Sequence, residues 1–179
     1  QLGFHLDEEE LEKAFFRFKN LADKKREITD RDLEAIVRHE VKSIPEKFRL
    51  ESLHISSGTN VVPTATVAVQ VDGMLRQEAA CGEGPVDATF KAIDKVTGVG
   101  VVLRNYNLNA VSGGTDAMGE VTVLVEYQGR GFLGRGLSMD IIEASARAYI
   151  NALNKLVLEY GEEAILGKAS DRARPGGGE

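Results

Sequence analysis

Few side chains in this sequence have the type and spacing for chemistry, and the clearest group is a glycine-rich turn. Gly82-Glu83-Gly84-Pro85 stands between an alternating run and a helical one. Pro85 suits the first turn of a helix, where its missing N–H is not needed. A helix N-terminus presents unpaired N–H groups and a positive dipole end, which suits a carboxylate. Gly82 and Gly84 lack side chains, so a ligand can approach the backbone there. A tight strand-to-helix turn with no ligand is the competing reading. Tyr106 lies in the strand-like run 101–110 and shares a face with Leu108 and Ala110. It is either a core tyrosine or the aromatic wall of a pocket that small residues such as Ala110 and Ala117 shape. Asp87 and Asp140 read as equivalent first-turn residues of two helices. Dipole compensation explains them better than a paired acid/base site does. Cys81 has no histidine placed beside it and reads as a small buried residue at a strand end. His5, His39 and His54 are too scattered for metal-ligand spacing.

These residues need elements to hold them. Leu11, Ala14, Phe15, Phe18, Leu21 and Ala22 follow helical spacing over residues 7–23, with Asp7 and Glu10 as cap and cap partner. Thr29 and Asp32 repeat that start signal before Leu33, Ile36, Val37 and Val41, and Pro45 ends the section. Two short helices bury little alone, so the rest of the chain or a further domain must cover them. From Phe48 the period changes. Ala65, Val67, Val69 and Val71 alternate with polar residues as in a half-buried strand, and Asp72-Gly73 signals a hairpin. A strand over 74–81 follows, and then a helical stripe of Val86, Phe90, Ile93 and Val96.

The series then recurs. ISSGTN at 55–60 matches VSGGTD at 111–116, TVAV at 66–69 matches TVLV at 122–125, and Gly73 matches Gly129, all at an offset of 56 residues. Gly82-x-Gly84 matches Gly134-x-Gly136 after a shortening of four residues. A constant offset across loop, strand and turn marks an internal duplication. The expected fold is α+β: two βββα units related by pseudo-twofold symmetry, preceded by a short helical linker. The boundaries read as a linker over 1–45, a duplicated domain over 46–166 with units at about 46–98 and 99–160, and a flexible tail over 167–179. In the last helix Ile142, Ala146, Tyr149, Leu153 and Val157 read as core. A second stripe, Ala144, Ala148 and Ala152, permits close helix approach within the domain or across a dimer.

The net charge of −6 argues against a nucleic-acid partner. No apolar stretch reaches the length of a membrane span, and the acidic start is unlike a signal peptide. A lone cysteine fits a reducing cytoplasm. The first residue, Gln1, suggests a piece of a longer protein.

LGFHLDEEEL at 2–11 and FKNLADKKREI at 18–28 resemble the helical linker of 2-isopropylmalate synthases. GTDAMGEVTV at 114–123 and GRGLSMDIIEASARAYINALN at 134–154 resemble that family's final module. Citramalate synthases share the architecture and the IIEAS core but depart from the GTD and SMD wording. The resemblance implies a regulatory, dimer-forming domain that binds L-leucine as a feedback inhibitor of leucine biosynthesis. Its implied pocket is Gly82, Gly84, Val86, Leu103, Tyr106, Ala110 and Ala117; Glu83 departs from the small or amide residue expected in the turn. The family's catalytic barrel, with its divalent metal and acetyl-CoA, lies outside these residues, so no catalytic residue and no cofactor is expected here. Isoleucine sensing and a dimerisation module without ligand remain the alternatives. Nothing beyond lone residues supports an enzyme in its own right.

Overall fold

The computed structural model describes residues 8–24, 28–29, 32–33, 36, 46–111 and 117–161. Helix α1 (Glu8–Lys24) is followed by strands β1 (Phe48–Gly58), β2 (Val61–Val71) and β3 (Met74–Cys81) and helix α2 (Pro85–Thr97). The series then repeats as β4 (Val102–Ala110), β5 (Gly119–Tyr127), β6 (Arg130–Ser138) and α3 (Ile141–Tyr160). Each unit is an antiparallel meander, ordered β1-β2-β3 and β4-β5-β6. The expected α+β fold of duplicated βββα units is therefore the fold observed. Asp7, the side chain of Glu10, Val37, Val41, Pro45 and the 167–179 tail lie outside the described residues.

The duplication extends to fine geometry. Both β-hairpins turn on two residues with positive φ: Asp72 (53°) and Gly73 (76°), then Gln128 (50°) and Gly129 (81°). This backbone twist matches that of the flanking strands, and Asp-Gly adopts it at little cost. Both first strands carry a register shift at the same place, between Leu50 and Ser52 and between Leu103 and Asn105. The first strands are offset by 53 residues while the second strands are offset by 56, because the path between equivalent ladder pairs, Ile55 to Ala65 and Leu108 to Val121, is three residues longer in the second unit. Each helix opens with an i,i+4 ion pair, Asp87–Lys91 and Glu143–Arg147. Each then has a hydroxyl donating one turn back, Thr89 to Pro85 C=O and Ser145 to Ile141 C=O, both at 2.7 Å.

This correspondence corrects two readings. The 56-residue offset runs unbroken from β2 into the helices, so Gly82-x-Gly84 does not match Gly134-x-Gly136. Gly134 and Gly136 lie inside β6, not in a turn. A Cβ on Gly134 would sit 2.0 Å from the Ala148 carbonyl oxygen, and one on Gly136 2.0 Å from that of Ala144. These glycines let α3 lie directly on β6, and the Ala144, Ala148, Ala152 stripe is the helix side of that contact, fully buried within the unit. The stripe is therefore not available to a partner chain. Likewise the counterpart of Asp87 is Glu143, while Asp140 stands opposite Gly84.

The main core lies between the sheets and the helices. Val67, Val69, Val121, Val123 and Val125 are fully buried on the helix-facing sides of the central strands, against Ile93, Leu153 and Leu156. Each such side chain contributes about 1.5–3 kcal/mol relative to exposure. The helices meet through Phe90 and Tyr149, whose rings stack at 4.2 Å. Buried Asn154 ties the units together: its Oδ1 accepts from Phe48 N–H at 2.8 Å and its Nδ2 donates to Phe48 C=O at 2.9 Å. Among the described residues no helix is long and apolar enough to cross a membrane.

Candidate functional site

The Gly82–Pro85 turn is built from the end of β3 and the start of α2. Gly82 N–H donates to Pro63 C=O at 2.9 Å, which ties the turn to β2. A Cβ on Gly82 would meet Ala88 N at 2.4 Å, so the chain's own helix fills that space. The missing side chain at Gly82 thus has a packing reason of its own. Gly84 is different. It is the N-cap, it is extended (φ −154°, ψ 175°), and no atom lies within 4 Å of where its Cβ would be. No side chain caps α2. The space on the Cβ side of Gly84 is therefore open.

Asp87 sits one turn in. Its carboxylate accepts from Lys91 at 2.7 Å and from Glu83 N–H at 2.8 Å. These bonds, led by the one to Lys91, hold its pKa below the usual carboxylate value, so it stays charged. That is the dipole-compensating role expected of it. Val86 is half-buried and packs against the main core.

Leu103, Tyr106, Leu108 and Ala110 pair with Val125, Val123, Val121 and Gly119, so all four share the helix-facing side of β4. Yet α3 covers β5 and β6 and leaves β4 bare. No Cα of β4 comes within 8 Å of any described strand or helix other than β5. Leu103 and Leu108 are each 41% exposed, and Ala110 is exposed beside them. Tyr106 bridges the gap by its length: its hydroxyl lies 2.8 Å from Ser145 Oγ. Ser145 commits its single proton to Ile141 C=O, so Tyr106 is the donor. Ala117, half-buried, stands two residues before Gly119, the partner of Ala110.

The seven expected pocket residues thus form two groups. Leu103, Tyr106, Ala110 and Ala117 line one strip, and Gly82, Gly84 and Val86 surround the start of α2. Neither β3 nor α2, which flank the turn, comes within 8 Å of β4. One copy of the chain does not join the groups. A cavity of about 1330 Å³ lies elsewhere, between α1, β1 and the start of α3, and none of the seven residues lines it. Among the described residues no three His, Cys, Asp or Glu side chains group as metal donors. Cys81, expected to be buried, is exposed, because β3 is an edge strand and Cys81 faces away from the helices.

Residues 27–157 match the family model described as the LeuA allosteric (dimerisation) domain. The chain belongs to the LeuA allosteric (dimerisation) domain family. It is similar to the 2-isopropylmalate synthase of Pelotomaculum thermopropionicum, at 56% identity over 158 residues, which cover 88% of this chain and 31% of that protein. The enzymes of the same name from Heliobacterium modesticaldum and Carboxydothermus hydrogenoformans are 54% and 51% identical; each match covers 89% of this chain, and 31% and 32% of the respective relatives. The chain therefore spans about a third of the length of the relatives it matches. Within this LeuA domain, residue-by-residue reading missed Ser145, the partner of Tyr106, and the Asp94–Tyr149 contact between the helices. The hydroxyl shared with Thr89 at the equivalent position was a signal for Ser145. The Asp94–Tyr149 pair had none, since the two residues lie 55 apart.

Proposed function

We propose that this LeuA domain binds L-leucine and, as a homodimer, regulates a 2-isopropylmalate synthase in leucine biosynthesis, in the cytoplasm, with the catalytic barrel and its metal outside these residues. The observation that carries the reading is an asymmetry between duplicated units. The second helix is capped by its own carboxylate: Asp140 accepts from Ile142 N–H at 2.7 Å and from Glu143 N–H at 3.1 Å. The first helix, at Gly84, has no such cap and faces open space. It is suited to receive a carboxylate from outside. The uncovered face of β4 supplies what a branched side chain needs, an apolar wall of Leu103 and Leu108 beside a tyrosine. The two parts are separate within one chain, so a second copy is required to complete the pocket.

The test is a thermal-shift series with leucine, isoleucine and valine. Leucine at about a hundredfold excess over its dissociation constant should add roughly 2.7 kcal/mol of stability. Isoleucine and valine should shift the melting temperature less, since a branch point or one methylene is worth roughly 1–3 kcal/mol of discrimination. A larger shift with isoleucine would move the assignment to a citramalate synthase. No shift with any of the three would leave a dimerisation module only.

A further inference from the structure

The two meanders have four edge strands, β1, β3, β4 and β6. Three of them are covered. The buried Asn154 amide holds both backbone groups of Phe48 on β1. Lys95 of α2 donates to Ala79 C=O on β3 at 3.1 Å. On β6, Arg135 N–H donates to Asn151 Oδ1 at 3.3 Å, and Lys155 donates to Leu133 C=O; both caps come from α3. Among the described residues β4 has no such cap and no helix beside it. The register shows which of its groups are spare. Val111 N–H bonds across to Met118 C=O, and bonded and non-bonded pairs alternate along an antiparallel ladder. Asn105, Asn107 and Asn109 therefore spend their backbone groups on β5, while Tyr106, Leu108 and Ala110 turn theirs outward. The same parity gives the capped groups of β6 their outward direction.

An open edge of this kind is a template for another strand. β4 carries neither proline nor lysine, and its one charge, Arg104, is held by Glu126 through two bonds of 2.9 Å. We propose that β4 pairs antiparallel with β4 of a second copy, about a twofold axis at Leu108, joining two three-stranded sheets into one of six. The proposal rests on the homodimer reading above and gives it a surface. Leu108 is the middle one of the three outward residues, so this register uses them all: Leu108 bonds to the partner's Leu108, and Tyr106 to the partner's Ala110. It seats each tyrosine beside an alanine and brings the two exposed leucines together on one face. The outer edges of the joined sheet are then the capped β6 strands, so a twofold contact closes the assembly at the dimer. The β1 edge is less suited, because Asn154 already occupies it at Phe48 and α3 lies beside it.

Disulfide trapping tests the pairing in a Cys81→Ser background, which removes the chain's single cysteine. In a bonded antiparallel pair the Cα atoms stand about 5.5 Å apart, within the span of a disulfide. Under mild oxidation Leu108→Cys should therefore turn most of the protein into a covalent dimer. Asn107 lies opposite the partner's Asn109 and not opposite itself, so Asn107→Cys alone should cross-link roughly fivefold less. A mixture of Asn107→Cys and Asn109→Cys chains should cross-link to each other, and this pair leaves Leu108 in place should its replacement disturb folding. Light scattering of the parent fixes its oligomeric state. A dimeric parent whose folded variants do not cross-link, or in which Asn107→Cys alone cross-links as well as Leu108→Cys, would overturn the β4 pairing and leave the homodimer reading intact. A parent that stays monomeric would remove both.

Discussion

Both units start their helix at the same point after the third strand, but Gly84 stands where the second unit has Asp140. The same substitution of roles appears at the first strands. In β1, Leu50, Leu53 and Ile55 pack against the main core, and α3 lies close to the strand. In β4 the corresponding Leu103, Tyr106 and Leu108 face the helix side with no helix above them. One unit has an open helix end and a covered strand; the other has a closed helix end and an open strand. Register, hairpins and helix ion pairs, which hold each unit together, are the same in both. The units differ at groups that a single chain leaves without an internal partner. That division separates what the fold needs from what it offers to a ligand or a second copy.

The largest expected effect concerns the strand beneath each helix. Gly136→Val forces a side chain into the carbonyls of α3 and should destabilise the protein by about 3 kcal/mol or more in urea denaturation. Its counterpart in unit one, Ala80, already carries a Cβ in its buried site. Ala80→Gly should cost only about 1 kcal/mol. Equal losses would show that the two helices sit at the same height, contrary to the structure.

The next effect sharpens the contact between units. Burial pushes the Asp94 carboxyl up to about 7, against the opposing influence of the hydrogen bond that Tyr149 donates at 2.8 Å. Burial, with the charge of Asp94, also pushes the Tyr149 hydroxyl up, so it remains a donor throughout. In the unfolded chain Asp94 titrates near 3.8. Between these values the native state binds more protons than the unfolded one, so stability is full below about pH 4 and falls as pH rises through about 7. Asp94→Asn keeps an acceptor for Tyr149 without the charge. It should remove this pH dependence and stabilise the protein at pH 8 by on the order of 2 kcal/mol, with little change at pH 4. A pH dependence in Asp94→Asn that matches the parent's between pH 4 and 8 would show that the carboxyl is not desolvated in the native state.

The smallest effect on stability tests the asymmetry itself. Asp140→Gly removes a cap and should cost about 1 kcal/mol or less, while Gly84→Asp should add a few tenths of a kcal/mol by supplying one. The second exchange also places a negative charge where the ligand carboxylate is proposed to sit. It should weaken leucine binding by tenfold or more in calorimetry, whereas Asp140→Gly should leave it within a few-fold. Undiminished leucine affinity in Gly84→Asp would remove the open helix end from the pocket.

Much of this was legible in local patterns. Alternation of Ala65, Val67, Val69 and Val71 placed β2 and its buried face. Asp72-Gly73 placed the hairpin. Thr29 and Asp32 form the reciprocal cap their spacing implied, Thr29 N–H donating to the Asp32 carboxylate at 2.9 Å and Asp32 N–H to Thr29 Oγ1 at 3.3 Å. The helical stripe of α1 was also correct as a pattern, but the structure divides it: Ala14 and Leu21 are buried, while Leu11 and Phe15 are not. Periodicity reports that a face is apolar and not how much of it finds a partner.

The sequence by itself determined the elements, their order and the duplication, because turn chemistry, caps and hydrophobic period act between residues close in the chain. Only the tertiary structure decided what each glycine is for. Gly82 makes room for the Ala88 amide of the helix that follows it, Gly84 leaves a helix end without a side-chain cap, and Gly136 admits the helix that begins five residues on. An absent Cβ looks the same in all three cases, and the atom that would have met it is supplied by a different part of the fold.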